Sequence, residues 1–230
     1  MPPRGSVRDG HRHRRGPPRV PRPCREGGVP VRVLVVHAHP SPESFVSHLR
    51  DVALQELAGA GHEVRHRDLW AEGFDPVFTA DERLTHSGEP VAKLERHPGL
   101  APHVADLTWC EALILVHPMW WSGQPAVLKG WFDRILMNGV AWHLPEGANR
   151  ITPMLRNVRR LVVVTTHGSP KWVNALQGEP GKRTALRSVR LMFTLGCRAS
   201  WIAMYGLDRA SERRRAAFER RVRRRLRRLR

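Results

Sequence analysis

The sequence is short of cysteine, holds a single tyrosine and contains no long apolar run. Cys24, Cys110 and Cys197 stand far apart without a C-x-x-C spacing, which excludes a disulfide framework and a zinc knuckle and makes a reducing cytoplasm the expected compartment. No stretch approaches the ~18–20 apolar residues that span a bilayer, and the N-terminus carries charge without the apolar segment of a signal peptide. The chain therefore reads as soluble and not exported. It also lacks the glycines of a G-x-G-x-x-G fingerprint, a Walker loop, and an H-x-x-x-H pair in a predicted helix.

What is present in excess is arginine, and its placement matters more than its amount. The net charge is +18, yet residues 1–32 hold nine Arg against Asp9 and Glu26, and residues 209–230 hold twelve against Glu212 and Glu219. Residues 33–208 are nearly neutral, with 18 basic and 17 acidic side chains. The middle of the chain does not act through bulk charge, and no specific nucleic-acid recognition is expected. Residues 1–30 mix Arg, Pro, Gly and His with few apolar side chains, a composition that predicts a disordered basic leader. Residues 209–230 read as an Arg-rich helix with Phe218, Val222, Leu226 and Leu229 on one face. Such a stripe needs burial, so the helix is expected to complete the domain and present a solvated polar face. The competing reading is a binding module, peripheral to a membrane, a transporter or nucleic acid.

Between these ends, residues 31–208 alternate strand and helix patterns. Val31–Val36 is a β-branched run suited to a strand buried on both faces. Phe45, Leu49, Val52, Ala53 and Leu57 follow at helical spacing and stop at Gly59 and Gly61. Further strands are predicted at His62–Leu69, Ala112–Val116, Arg160–Thr165 and Ser200–Met204. Helices are predicted at Ala101–Trp109, Gln124–Met137 and Thr184–Leu195, with Trp131, Phe132 and Ile135 as core or dimer contacts. The stretch from Trp70 to about Gly99 reads as a surface excursion. The alternation implies an α/β three-layer sandwich on a five-stranded parallel sheet, with the flavodoxin-like order 2-1-3-4-5 leading and a Rossmann variant as the alternative.

Ligands of such sheets bind outside the carboxyl ends of the strands, where three unusual segments fall. His37-Ala38-His39-Pro40-Ser41-Pro42-Glu43-Ser44-Phe45 places hydroxyls at a helix start, suited to a phosphate or, more plainly, to capping. Pro118-Met119-Trp120-Trp121-Ser122-Gly123-Gln124-Pro125 puts adjacent indoles on a loop, where they cannot both face the core and one is expected along a cleft. Thr165-Thr166-His167-Gly168-Ser169-Pro170 offers hydroxyls and backbone N–H groups to the edge of a flat ligand. His37, His39, His117 and His167 raise the question of a metal, but their spacing gives no ligand set and none is expected.

Together these segments resemble the flavodoxin-like NAD(P)H:quinone oxidoreductases, a family that includes mammalian quinone reductases, bacterial drug-activity modulators and ancillary reductases of potassium-efflux systems. The resemblance covers about Val31 to Asp208 and is most specific from Pro118 through Arg134. It implies a flavin, FAD with FMN as the alternative, with His39, Ser44 and Phe45 at its phosphate end. Pro118, Met119, Trp120 and Trp121 then flank the ring, and Thr165, Thr166, His167 and Gly168 meet its pyrimidine edge. It further implies NAD(P)H as electron donor, a quinone-like acceptor, ping-pong hydride transfer and a homodimer. A regulatory partner of a cation-efflux transporter is the alternative within the same fold. Two departures stand out: Thr165-Thr166-His167-Gly168 replaces the family's Thr-Thr-Gly-Gly, and the tyrosine that usually follows is missing. The family's tyrosine–histidine relay is therefore not carried over, and His167 is the candidate for balancing charge on a reduced flavin.

Overall fold

The computed structural model describes residues 29–229; the leader expected at residues 1–30 lies, but for its last two residues, outside them. The strands are β1 (Arg32–His37), β2 (Glu63–Asp68), β3 (Ala112–Met119), a two-residue ribbon β4 (Trp142–His143) with β5 (Thr152–Pro153), β6 (Arg160–His167) and β7 (Arg198–Tyr205). The five long strands form one parallel sheet in the order β2-β1-β3-β6-β7. This is the order 2-1-3-4-5 read from the sequence, with the small ribbon set apart from it.

The core has two halves because each central strand is buried on both faces. Val33, Val35, Ile114, Val116, Val162 and Val164 point to one side, where they pack with α1 (Phe45–Gly59) and α8 (Glu212–Leu226). Leu34, Val36, Leu113, Leu115, Leu161 and Val163 point to the other, beneath α4 (Ala101–Trp109) and α5 (Ala126–Ile135). Trp131, Phe132 and Ile135 of α5 are buried there, and the Trp131 indole N–H donates to His103 Nδ1 at 3.3 Å. Among the described residues no helix is long and apolar enough to cross a membrane.

Three local expectations are corrected. First, β3 and β6 run past the ends predicted for them, so His117–Met119 and Thr166–His167 are strand, not loop. Polar residues extend the ladder because each has a paired neighbour, from Ala112 opposite Arg160 to Met119 opposite His167. Second, the Trp70–Gly99 excursion contains α2 (Ala80–Leu84) and α3 (Pro90–Arg96). Helices this short have no complete apolar stripe to read; α2 is held by a Thr79–Glu82 capping box and by the buried Glu82 carboxylate, which accepts from Arg134 Nε at 2.8 Å. Third, the helix expected at Thr184–Leu195 starts earlier, following the short α6 (Lys171–Leu176) as α7 (Pro180–Arg183), and continues through irregular turns to Met192. Pro180 fixes that earlier start, since proline suits the first helical position.

The excursion is anchored to α5 at Gly130, where a Cβ would lie 2.2 Å from Pro76 O and 2.5 Å from Pro76 Cα. Backbone cannot yield as a side-chain tip can. Gly130→Ala is therefore expected to lower stability by about 1–3 kcal/mol, read as a lower urea midpoint with unchanged slope. A variant as stable as the parent would show that the excursion is not docked in this way.

Candidate functional site

A cleft of about 580 Å³ opens at the carboxyl ends of β1, β3 and β6. His39, Ser44, Phe45, Pro118, Met119, Trp120, Trp121, Thr166 and Gly168 line it with Ser169 of the third segment, joined by Val46, Leu207 and Asp208, which sequence reasoning did not single out. Three segments distant in the chain thus meet at one slot. Thr165 and His167 are absent from the lining; strand alternation turns them to the opposite face, where both are buried.

The first wall is set by a buried polar network. Ser44 caps α1, accepting from Ser47 N at 3.0 Å, and the first turn of α1 carries no acidic residue, so its amino end keeps partial positive charge beside the cleft. Ser47 Oγ donates to Ser41 O at 2.7 Å and lies 3.3 Å from His37 Nε2. His37 Nδ1 donates to Asp68 Oδ2 at 3.0 Å, and Arg50 Nη1 donates to the same oxygen at 2.8 Å. Burial pushes His37 below its ordinary pKa despite Asp68. Burial acts to raise Asp68, yet the Ala71 N–H, His37 and Arg50 bring it lower. Ser47, Asp68 and Arg50 carried no motif in the sequence. Only the register that sets His37 opposite Asp68 makes them a unit.

The second wall is a strained turn. Trp120 and Gly123 exchange both backbone hydrogen bonds at 3.0 Å, while Trp121 and Ser122 between them have φ of 49° and 60°. Two successive non-glycine residues in the left-handed region cost roughly 1–3 kcal/mol each and persist only where surroundings hold them. Gly181 supplies that hold: its N–H donates to Ser122 O at 2.9 Å and its carbonyl accepts from Gln124 Nε2 at 2.7 Å. A Cβ there would meet Met119 Cε at 2.0 Å and Ser122 O at 2.9 Å. The outcome is a Trp121 side chain fully exposed (103%) and Trp120 partly so, its ring centroid 5.9 Å from that of His39. Both indoles lie at the cleft, where the sequence required only one.

The third wall is the end of β6. Behind it, on the face away from the cleft, His167 Nδ1 donates to Asn174 Oδ1 at 2.7 Å, and its ring stacks on Tyr205 with centroids 4.3 Å apart. Tyr205 OH donates to Glu179 Oε1 at 2.7 Å. The chain's single tyrosine thus meets His167 through strand register, which places them opposite each other. His117 Nε2, Thr165 Oγ1 and His167 Nε2 are buried on this face without a hydrogen-bond partner among the described residues. Burial pulls His167 below its ordinary pKa and His117 down to about 4. Burial and the Glu179 contact push Tyr205 up to about 12. Near neutral pH the histidines and the tyrosine are uncharged. Of the four histidines raised as metal candidates, His37 is tied to Asp68 and His117 and His167 lie behind the sheet. Among the described residues no group of three or more His, Cys, Asp or Glu could hold a metal.

A family model described as "Flavodoxin-like fold" matches residues 31–229, and the chain belongs to that family. Its curated relatives carry the names of the group that the Pro118–Arg134 stretch resembles. It is 35% identical over 131 residues to a ribosyldihydronicotinamide dehydrogenase-like protein of Penicillium crustosum, covering 52% of this chain and 49% of that one. It is 30% identical over 165 residues to NAD(P)H dehydrogenase (quinone) 1 of Rattus norvegicus, covering 65% and 58%. The matched region thus spans about half to three fifths of these two relatives' length. Among solved structures, an NAD(P)H:quinone oxidoreductase from Methanothermobacter marburgensis shares the fold, with a TM-score of 0.69, 24% identity, and coverage of 88% of this chain and 100% of the other.

The buried histidines make stability depend on acidity. His103 and His117 have folded pKa values of about 4 against an ordinary value of 6.5, so the folded protein binds fewer protons than the unfolded chain between these limits. Their contribution is complete above pH 6.5 and is lost as pH falls toward 4, by up to about 3 kcal/mol each. Unfolding free energy measured by urea titration is expected to fall across that window, and His117→Gln to flatten the fall. An equally steep fall in the variant would contradict the assignment.

Proposed function

We propose that the cleft binds a flavin and that the chain is an NAD(P)H-dependent reductase of quinone-like acceptors, working by two-electron reduction in ping-pong order. The observation that carries this reading is the meeting of three dissimilar walls on one slot. A helix amino end at Ser44–Val46 suits a phosphate, the Trp120–Trp121 wall suits a flat ring, and Thr166, Gly168 and Ser169 suit a polar edge. A volume of about 580 Å³ falls in the range of cofactor pockets. The names of the curated relatives support the same activity.

A bound flavin supplies the hydride chemistry; this chain supplies position and electrostatics. Ser44 and the amino end of α1 hold the phosphate, with Ser47 and His37 fixing the loop. Trp120 and Trp121 cover the ring and exclude water, and Asp208 adds an acceptor beside Gly168. One shared slot for donor and acceptor explains a ping-pong order. His167 acts across the strand rather than by contact: its ring is neutral at rest, held by Asn174 and stacked on Tyr205, and negative charge arising in the cleft would raise its affinity for a proton. It is a positioning residue in this scheme.

The reading extends to FAD, because the His39–Phe45 segment matches the quinone-reductase pattern rather than a flavodoxin phosphate loop. A fold relative, the NADH-azoreductase of Bacillus anthracis, is named as an FMN complex, so FMN is the competing cofactor. A homodimer in the cytoplasm completes the proposal; the fully exposed Trp121 at the cleft rim suits closure by a second copy.

Purified protein is expected to be yellow, to release one flavin per chain on denaturation, and to oxidise NAD(P)H with a quinone. Protein that neither retains nor takes up flavin would overturn the reading. Trp120→Ala is expected to weaken flavin retention roughly threefold to tenfold, the worth of one aromatic contact. His167→Ala is expected to shift the pH profile of both half-reactions, with partial rescue by His167→Gln at high pH; unchanged rates and profile would remove His167 from the mechanism.

A further inference from the structure

The arginines of the last helix are not used by the cleft. α8 buries Phe218, Val222 and Leu226 against α1 and the sheet, so it is folded without a partner. Its apolar face is spent on the core. Of its arginines, Arg223 is tied to Glu56 and Glu219 at 2.8 and 2.7 Å, and Arg227 is also tied to Glu56. Arg213, Arg220, Arg221, Arg224 and Arg228 are exposed and have no ion pair among the described residues. At helical spacing they cover the solvent side of α8 and its end over roughly 22 Å.

Two further observations give this stripe a direction. Leu229, just past the end of α8, packs in the same apolar cluster as Val31, Arg223 and Arg227 reach Glu56 near the end of α1, and His62 Nδ1 accepts from Val31 N at 3.3 Å. The end of α8 therefore lies beside the point where the chain enters β1, and the sequence before Val29 carries eight further Arg. The two Arg-rich segments, far apart in sequence, attach at the same end of the molecule. That end holds the amino termini of the strands, opposite the cleft. The exposed side of α8 presents no large apolar side chain, whereas a helix that settles on a bilayer inserts an apolar face. Guanidinium forks without apolar neighbours match phosphodiesters instead.

We propose that the exposed arginine stripe of α8 is a sequence-independent binding surface for the phosphate backbone of nucleic acid, placed so that binding leaves the cleft open. The proposal stands apart from the reductase reading. Its test is fluorescence anisotropy of a labelled 20-base-pair mixed-sequence duplex with the full chain at 50–200 mM salt. Five phosphate contacts predict a salt slope near −4.5, or about a 500-fold loss of affinity across that range. A duplex of scrambled sequence is expected to bind equally. The variant combining Arg213→Gln, Arg220→Gln, Arg221→Gln, Arg224→Gln and Arg228→Gln is expected to keep its circular dichroism spectrum and quinone reduction while losing most of the slope. Absence of duplex binding at 50 mM salt, or a slope unchanged in the variant, would overturn the proposal. So would binding to vesicles of 30% phosphatidylserine in phosphatidylcholine that is tighter than binding to the duplex, which would assign the stripe to lipid.

Discussion

The parallel register between β3 and β6 is the constraint from which the site follows. The two strands stay paired over eight residues, well beyond the apolar stretches that bury them. Because side chains alternate along a strand, that extension decides which groups face the cleft and which lie behind it. Thr166 and Pro118 are delivered to the slot, while Thr165, His167 and His117 are sent to the far face. Had the ladder stopped at Val116 and Val164, these residues would be loop and their directions unspecified. The same alternation in β7 carries Tyr205 to His167.

On this frame the cleft is built by two devices that do opposite things. The α1 loop is held by satisfied polar contacts among Ser44, Ser47, His37, Asp68 and Arg50, a low-energy arrangement. The tryptophan turn is held in a high-energy one, with two left-handed residues clamped from outside by Gly181. Stored strain at a binding wall is tolerable when the surroundings over-determine it. Here it presents two indoles at the slot, aromatic surface that a core position would have hidden.

The central strands were legible because β-branched runs such as Val33–Val36 and Leu161–Val164 have few other uses, and helix α1 was legible from its spacing and closing glycines; periodicity marked the α/β class and left the strand order between the flavodoxin-like one and a Rossmann variant. The three cleft segments were legible from their place after the predicted strands, their composition and the resemblance they carry. What escaped reading depends on partners far away in the chain. The short helix α2 owes its place to Arg134 and the turn before α3 to Asn138, whose Nδ2 donates to Ser87 O at 2.9 Å, dozens of residues on, so no local pattern marks them. The facing of Thr165 against Thr166 turned on where β6 ends, and the apolar run gave the wrong end point. Asp208 and Leu207 reach the cleft from the turn after β7, in a stretch whose composition is that of any surface loop.

The central claim is that the slot between α1, the tryptophan turn and the end of β6 holds a flavin. Tryptophan emission of flavin-free protein titrated with FAD and with FMN tests it most directly, because Trp120 and Trp121 form the wall on which the ring is placed. The account predicts saturable quenching at one flavin per chain, greatly reduced when both indoles are replaced by phenylalanine. Emission that does not change with either flavin, or quenching that persists undiminished without these two indoles, would contradict it.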